Sequence, residues 1–251
     1  MVDWRTTVTS KLIKSASAKV SSSDSSSNEV GSPNDQSRVL RLENQDWAEF
    51  AQEWRNSYKT FVQEFVPGET EWRDIDTHHY LSLLELLEKH DLDGIYTMEE
   101  AKEISLVWHF LDPWKDSSVG IHRLSSKFTT STLSNGNLSL LEDLRKHGNL
   151  GFDKLQSSAD FKAYKPHPTV YAGAARAMGL EPEEVAMVAT HLSDLNAARG
   201  CGFQTIYIER DREEDWGRDQ KEFHDAKSWV DMWVTEDENG LIEVARRFGC
   251  E

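Results

Sequence analysis

The sequence predicts an α/β fold in which a helical block precedes a parallel sheet with helices on both faces. Two patterns point there. From Asp46 to Phe110 the apolar residues recur at three- and four-residue steps, the period of helices with one buried face. After Trp114 short β-branched runs alternate with amphipathic stretches that end on glycine, the spacing of strand–helix units. A chain of 251 residues with 38% hydrophobic content can fill a substantial core. Its 44 acidic against 28 basic residues give a formal charge of −16, which argues against a nucleic-acid or anionic-membrane surface. No apolar run is long enough to span a bilayer, and Met1-Val2-Asp3-Trp4-Arg5 lacks the layout of a secretory signal, so a cytoplasmic protein is expected. Cys201 and Cys250 offer neither a disulfide framework nor metal-ligand spacing.

Taken in order, Ser15 to Ser37 is Ser-rich with almost nothing to bury and reads as a flexible surface loop. Trp47, Phe50, Ala51, Trp54, Tyr58, Phe61 and Phe65 then mark one face of a helix, with Asp46 and Glu49 as a capping pair at its start. A second helix runs through Tyr80 to Leu87 and a third from Met98 to Phe110, so no strand is needed before Pro113. Lys127 to Leu133 is β-branched and suits a strand, and Leu138 to His147 is a short helix closed by Gly148. A helix from Thr169 to Met178, a strand from Val185 to Thr190 and a helix from Asp194 to Arg199 follow. Gln204 to Glu209 and Asp231 to Thr235 read as strands, and Leu241 to Phe248 as the last helix.

Three motifs fall where strand gives way to helix: Leu133-Ser134-Asn135-Gly136-Asn137, Tyr164-Lys165-Pro166 and His191-Leu192-Ser193-Asp194. Such junctions lie at the carboxyl edge of a parallel sheet, where strand ends and helix amino-termini converge. A Ser hydroxyl and an Asn amide there can hold an anionic oxygen, although Asn-Gly is also common in plain turns. Proline after Lys165 fixes the entry into a helix and aims the ammonium at the same edge, although most lysines are solvated surface charges. Asp194 suits a catalytic carboxylate and equally an ordinary helix cap. The motifs recur at steps of roughly thirty residues, about one strand–helix unit each, so a wound sheet brings all three to one edge.

The order Ser-Asn, Lys-Pro, Asp resembles motifs two, three and four of the haloacid dehalogenase superfamily. The stretches Thr132 to Asn137, Ala163 to Tyr171 and Val188 to Ala198 look like the type II (S)-2-haloacid dehalogenases. The likeness is greatest to fungal-type members, which carry Trp-Arg-x-x-Tyr in the cap, here Trp54-Arg55-Asn56-Ser57-Tyr58. The resemblance implies a Rossmann-like core formed by residues 1–14 and 115–251, and a helical cap formed by residues 15–114. It implies a carboxylate that displaces halide from the α-carbon of a 2-haloacid to form an ester, which water then hydrolyses. In that scheme Lys165 holds the nucleophile ionised, Asp194 positions or activates the water, and Ser134 orients carboxylate oxygens. Arg55 receives the halide or the substrate carboxylate with help from Asn135, and Tyr171 stands beside the site. No cofactor and no metal are implied, the partner is a small 2-haloacid, and a homodimer is compatible with the family.

Two departures stand out. Ala189 and His191 occupy positions where the better-known bacterial members have Ser and Asn, which hands part of a water-binding set to an imidazole that titrates near neutrality or leaves it to pack at a strand end. Val2-Asp3-Trp4-Arg5 matches only the tail of motif one, so alignment places the nucleophilic Asp upstream of Met1, and the chain as written is expected to be inactive. Two alternatives remain: a silent anion-binding protein of the same fold, or a phosphatase, which would need Mg²⁺ held by further acids where Asn196, Ala197 and Ala198 stand.

Overall fold

The computed structural model describes residues 1–25 and 33–250, and its chain divides into two units. A helical unit holds residues 2–64 and 71–112; an α/β unit holds Met1, residues 65–70 and residues 113–251. Residues 2–14 thus group with the helices, whereas the sequence had assigned them to the α/β part.

In the helical unit a two-residue strand, β1 (Val2–Asp3), leads directly into α1 (Trp4–Ser25). Trp4, Val8, Leu12 and Ala16 recur at four-residue steps and are all buried, against α2 (Pro33–Asn44), α3 (Trp47–Glu64) and α5 (Met98–Ser105). That stripe corrects the expected Ser-rich loop: residues 15–25 extend α1 and residues 33–37 begin α2, while 26–32 lie outside the described residues. Serine has modest helix propensity, and packing of the apolar face outweighs it. Asp46 opens α3 as expected, its Oδ1 accepting from the N–H groups of Ala48 and Glu49 at 3.0 Å. Asp74 caps α4 (Ile75–Lys89), and Thr97 with Glu100 forms a full capping box on α5. The last predicted helix tightens to a 3₁₀ turn over Leu106–Phe110, and β2 (Asp112–Pro113) then pairs with β1, a short ribbon where none was expected.

The α/β unit begins with α6 (Ser117–Ser125), which the sequence reading missed. Its signal is masked by Ser117, Ser118 and Gly120. Gly120 is needed because a Cβ there would lie 2.4 Å from Leu241 Cβ on α11 (Gly240–Arg247), the helix that α6 packs against. The expected strand over 127–133 is reduced to two parallel bridges, Ser131 to Lys154 and Ser134 to Ser157. Its ladder is interrupted because the Gln156 N–H donates to the Thr132 hydroxyl at 2.9 Å rather than to a backbone carbonyl.

Beyond it come α7 (Leu138–His147), α8 (Pro168–Met178), β3 (Ala186–Ala189), α9 (Leu192–Gly200), β4 (Gln204–Ile208), α10 (Lys221–Ala226) and β5 (Met232–Val234). The strands form a parallel sheet in the order β3-β4-β5, with Val188 opposite Ile206 and Ile206 opposite Met232. Period-two alternation along β4 divides the core. Ile206 and Ile208 pack with Ile121, Leu241 and Val244, while Tyr207 packs on the other face with Leu192, Leu195 and Phe223. Full burial of a side chain such as Ile206 contributes roughly 1.5–3 kcal/mol.

Candidate active site

The three motifs meet at one hydrogen-bonded set in the α/β unit. Asp194 stands in the first turn of α9, just beyond the carboxyl end of β3. The Lys165 ammonium donates to Asp194 Oδ2 at 2.7 Å, and the Tyr171 hydroxyl donates to Asp194 Oδ1 at 2.6 Å. Each carboxylate oxygen therefore has its own donor. Both members of the ion pair are mostly buried, with side chains 17% and 18% exposed, so the interaction is shielded from bulk screening. Tyr171 is fully buried in the first turn of α8, and its hydroxyl reaches the same carboxylate. Burial first, and the neighbouring Asp194 carboxylate second, push the Tyr171 hydroxyl far above its ordinary pKa. It remains a donor at every working pH.

Asn135 ties the second motif to the third. Its Oδ1 accepts from the Lys165 N–H at 2.8 Å and its Nδ2 donates to the Lys165 carbonyl at 3.3 Å, a reciprocal clamp from a residue 7% exposed. The Lys165–Pro166 peptide is cis. Ser134 shapes the same turn, its Oγ accepting from the Gly136 N–H at 3.1 Å. With that lone pair occupied, the Ser134 hydroxyl is left to act as a donor. The buried Ser157 hydroxyl, which the sequence reading overlooked, donates to the Gly136 carbonyl at 2.7 Å and fixes the other side of this peptide.

His191 is the residue before α9, and its Nε2 lies 3.7 Å from Oε2 of the buried Glu213. Glu214, next in sequence, accepts from the Leu192 N–H at 2.7 Å and from the Trp216 N–H at 2.9 Å, and so holds the amino end of the helix that carries Asp194. Burial raises the Glu214 carboxyl pKa against the lowering effect of those two N–H groups. Neither glutamate was foreseen. Two adjacent acids after a β-branched run give no sign in the sequence that they turn inward.

Arg55 belongs to the helical unit. Its guanidinium lies 4.8 Å from the ring centre of Tyr58 and 5.7 Å from that of Trp4. As chemistry, the α/β set offers an ammonium, a phenol and a hydroxyl as donors around one carboxylate, and the helical unit offers a guanidinium stacked on aromatic rings. Among the described residues no group of three or more His, Cys, Asp or Glu is placed to hold a metal ion, and no helix is long and apolar enough to cross a membrane.

The chain is similar in sequence and fold to known proteins. The chain is 35% identical over 106 residues to (S)-2-haloacid dehalogenase 1 of Pseudomonas sp. (strain CBS-3), covering 41% of this chain and 47% of that protein. It is 28% identical over 151 residues to (S)-2-haloacid dehalogenase 4A of Burkholderia cepacia, covering 57% and 65%. The matches thus span about half to two thirds of the length of these curated relatives. Among solved structures, a defluorinating L-2-haloacid dehalogenase superposes with a TM-score of 0.77 at 26% identity, over 98% of this chain and 89% of its own. A second L-2-haloacid dehalogenase superposes with a TM-score of 0.73 at 29% identity, over 98% and 94%. The sequence profile of haloacid dehalogenase-like hydrolases matches residues 33–202, and the chain belongs to that family.

Proposed function

We propose that this fold is built for hydrolytic removal of halide from short (S)-2-haloacids, by the route its relatives' names imply, with the helical unit of residues 2–64 and 71–112 in the role of the fungal-type cap. The observation that carries the reading is the pair of donors on Asp194, one on each oxygen. A carboxylate attacks the α-carbon, the carbon–halogen bond breaks, and halide leaves with the bonding pair. An ester remains, and backside attack inverts the carbon. Water then adds to the ester carbonyl, a proton passes to the alkoxide, and the 2-hydroxy acid departs while the carboxylate is restored. Lys165 stabilises the attacking carboxylate as an anion, Asp194 orients the water, and Ser134 donates to the carboxylate oxygens. By the family match Arg55 takes the halide or the substrate carboxylate. His191, tied to Glu213, stands where bacterial relatives place an Asn.

Asp194 serves the second step in this scheme, so the nucleophile is a different carboxylate, the one the family's first motif supplies. The test is halide release from (S)-2-chloropropionate by this chain and by the chain extended with a strand, an Asp and a Gly-Thr turn. Release by the extended chain alone supports the reading. Release by the unextended chain that is lost in Asp194→Ala would show the nucleophile to be misplaced.

A further inference from the structure

Glu213 is a carboxylate only 9% exposed, one residue before the Glu214 that holds the amino end of α9, and neither step of the reaction uses it. A buried anion is costly unless a cation or strong donors face it. The imidazole of His191 does so, with Nε2 3.7 Å from Glu213 Oε2. The Met1 amino group also lies close. Burial first, then Arg210, lowers its pKa to about 6 against the pull of Glu213 and Asp116, so it is mostly uncharged at neutral pH and His191 is left to answer the Glu213 charge.

Local structure fixes this pair. His191 occupies the N-cap of α9, where a side chain ordinarily accepts from the first N–H groups of the helix, yet its imidazole makes no such bond. Glu214 takes that task from outside, accepting from the Leu192 and Trp216 N–H groups and bonding the Tyr207 hydroxyl. The loop after β4 is thereby pegged to the first turn of α9, which sets Glu213 beside His191. A carboxylate at Nε2 favours the Nε2–H tautomer and leaves the Nδ1 lone pair 3.5 Å from the Thr190 hydroxyl, a contact long enough to admit a water. Asp194 stands three residues on, the spacing at which N-cap and N3 side chains meet. Its two oxygens already accept from Lys165 and Tyr171. A carboxylate so held orients a water well and takes its proton poorly, because the added proton must sit beside an ammonium or a phenol hydrogen. Charged groups on the elements that meet here include Glu213, Glu214, Asp215 and Arg210 from the loop after β4, Asp194 on α9 and Lys165 ahead of α8.

We propose that Glu213 is a positioning residue that orients His191, and that His191 carries the proton in the ester-hydrolysis step. The inference rests on the dehalogenase reading, since it assigns a role within that step. As water adds to the ester carbonyl, one of its protons passes to Nδ1, giving an imidazolium beside the Glu213 carboxylate. The tetrahedral intermediate collapses, the bond from the carbonyl carbon to the substrate oxygen breaks, and Nδ1–H returns the proton to that oxygen. The 2-hydroxy acid departs, the imidazole is neutral again, and the enzyme carboxyl releases the second proton of the water to solvent. An asparagine at this place can hold a water but cannot carry its proton.

The first measurement is nitrogen NMR of the imidazoles in the full chain across pH, with the His191 signal assigned by its loss in His191→Gln and thermal unfolding recorded for each variant. The Nε2–H tautomer is expected at high pH, and the His191 titration midpoint should fall by about one pH unit in Glu213→Gln. Glu213→Asp should restore part of that shift. An unchanged midpoint, the result a merely structural Glu213 would give, overturns the pairing. If Glu213→Gln fails to fold, Glu213→Asp decides through its smaller shift. The second measurement is rapid-quench kinetics of the extended chain with (S)-2-chloropropionate. His191→Gln is expected to release its first halide at the normal rate and then to hydrolyse the ester about 10²-fold more slowly. Glu213→Gln should move the acid limb of the hydrolysis rate down by about one pH unit. Halide release with unslowed ester hydrolysis in His191→Gln overturns this inference alone. No halide from the extended chain that retains both residues overturns the dehalogenase reading and the proton-carrying role with it, while the titration still decides the pairing of Glu213 with His191.

Discussion

Asp194 takes a hydrogen bond on each oxygen, and the two donors contribute differently. Lys165 supplies charge, while Tyr171 supplies direction with a hydroxyl that does not ionise. In the extended chain Lys165→Met is expected to lower kcat by about 10²- to 10³-fold, the usual cost of removing an electrostatic stabiliser in a shielded site. Tyr171→Phe keeps the ring in its packed position and is expected to cost less, about tenfold, as a misoriented carboxylate. Steady-state halide release checks both, and a larger loss in Tyr171→Phe would reverse the assignment. Lys165 and Asp194 were legible because strand–helix punctuation puts both at one sheet edge, and Tyr171 only through its match to a family position after the Lys-Pro motif. Glu213, Glu214 and Ser157 were not, since their roles depend on loops folding back onto α9 and onto the Gly136 turn, and nothing local in the sequence encodes that return.

Elements show the same division. α7 and α8 were readable from periodicity and closing glycines, and the structure ends them at Gly148 and Gly179. α1 was hidden because propensity speaks against a Ser-rich helix while Trp4, Val8, Leu12 and Ala16 speak for it only once there is something to pack against. α11 is fastened at its start by an ion pair. Arg210 donates to Asp116 Oδ2 at 2.6 Å, and the Leu241 N–H donates to the same oxygen at 2.7 Å. Gly240, at φ +48°, makes room for it, since a Cβ would lie 2.2 Å from that oxygen. Gly240→Ala should thus separate a buried pair and destabilise the chain by about 3–5 kcal/mol. Urea unfolding measures this, and a loss under 1 kcal/mol would mean that the loop relaxes freely.

At the scale of the molecule, buried histidines make the helical unit sensitive to acid. In the helical unit His78 is buried against Phe61, and burial first, then Arg73, lowers its pKa from 6.5 to about 4. His79 is lowered in the same direction. Between those values the unfolded chain binds protons that the folded chain refuses, so stability falls as pH drops from about 6.5 toward 4 and levels off below. For His78 alone the loss is on the order of 3 kcal/mol. Urea unfolding at pH 7.5 and 5 should show about 2 kcal/mol of it, with a smaller difference in His78→Phe; an unchanged difference would place the acid sensitivity elsewhere.

The two-unit layout and the parallel sheet were legible from the change of period at Trp114. The junction at residues 2–14 was not, because α1 follows β1 without a break and joins the helical unit. The central claim is that Asp194 serves ester hydrolysis and that the ester forms on another carboxylate. Mass spectrometry of the extended chain carrying Asp194→Asn, mixed with (S)-2-chloropropionate and digested, tests it most directly. The predicted result is an adduct of substrate less halide, accumulating on the added Asp and reversed by hydroxylamine. An adduct on any peptide of residues 1–251, or none while halide is still released, would contradict it.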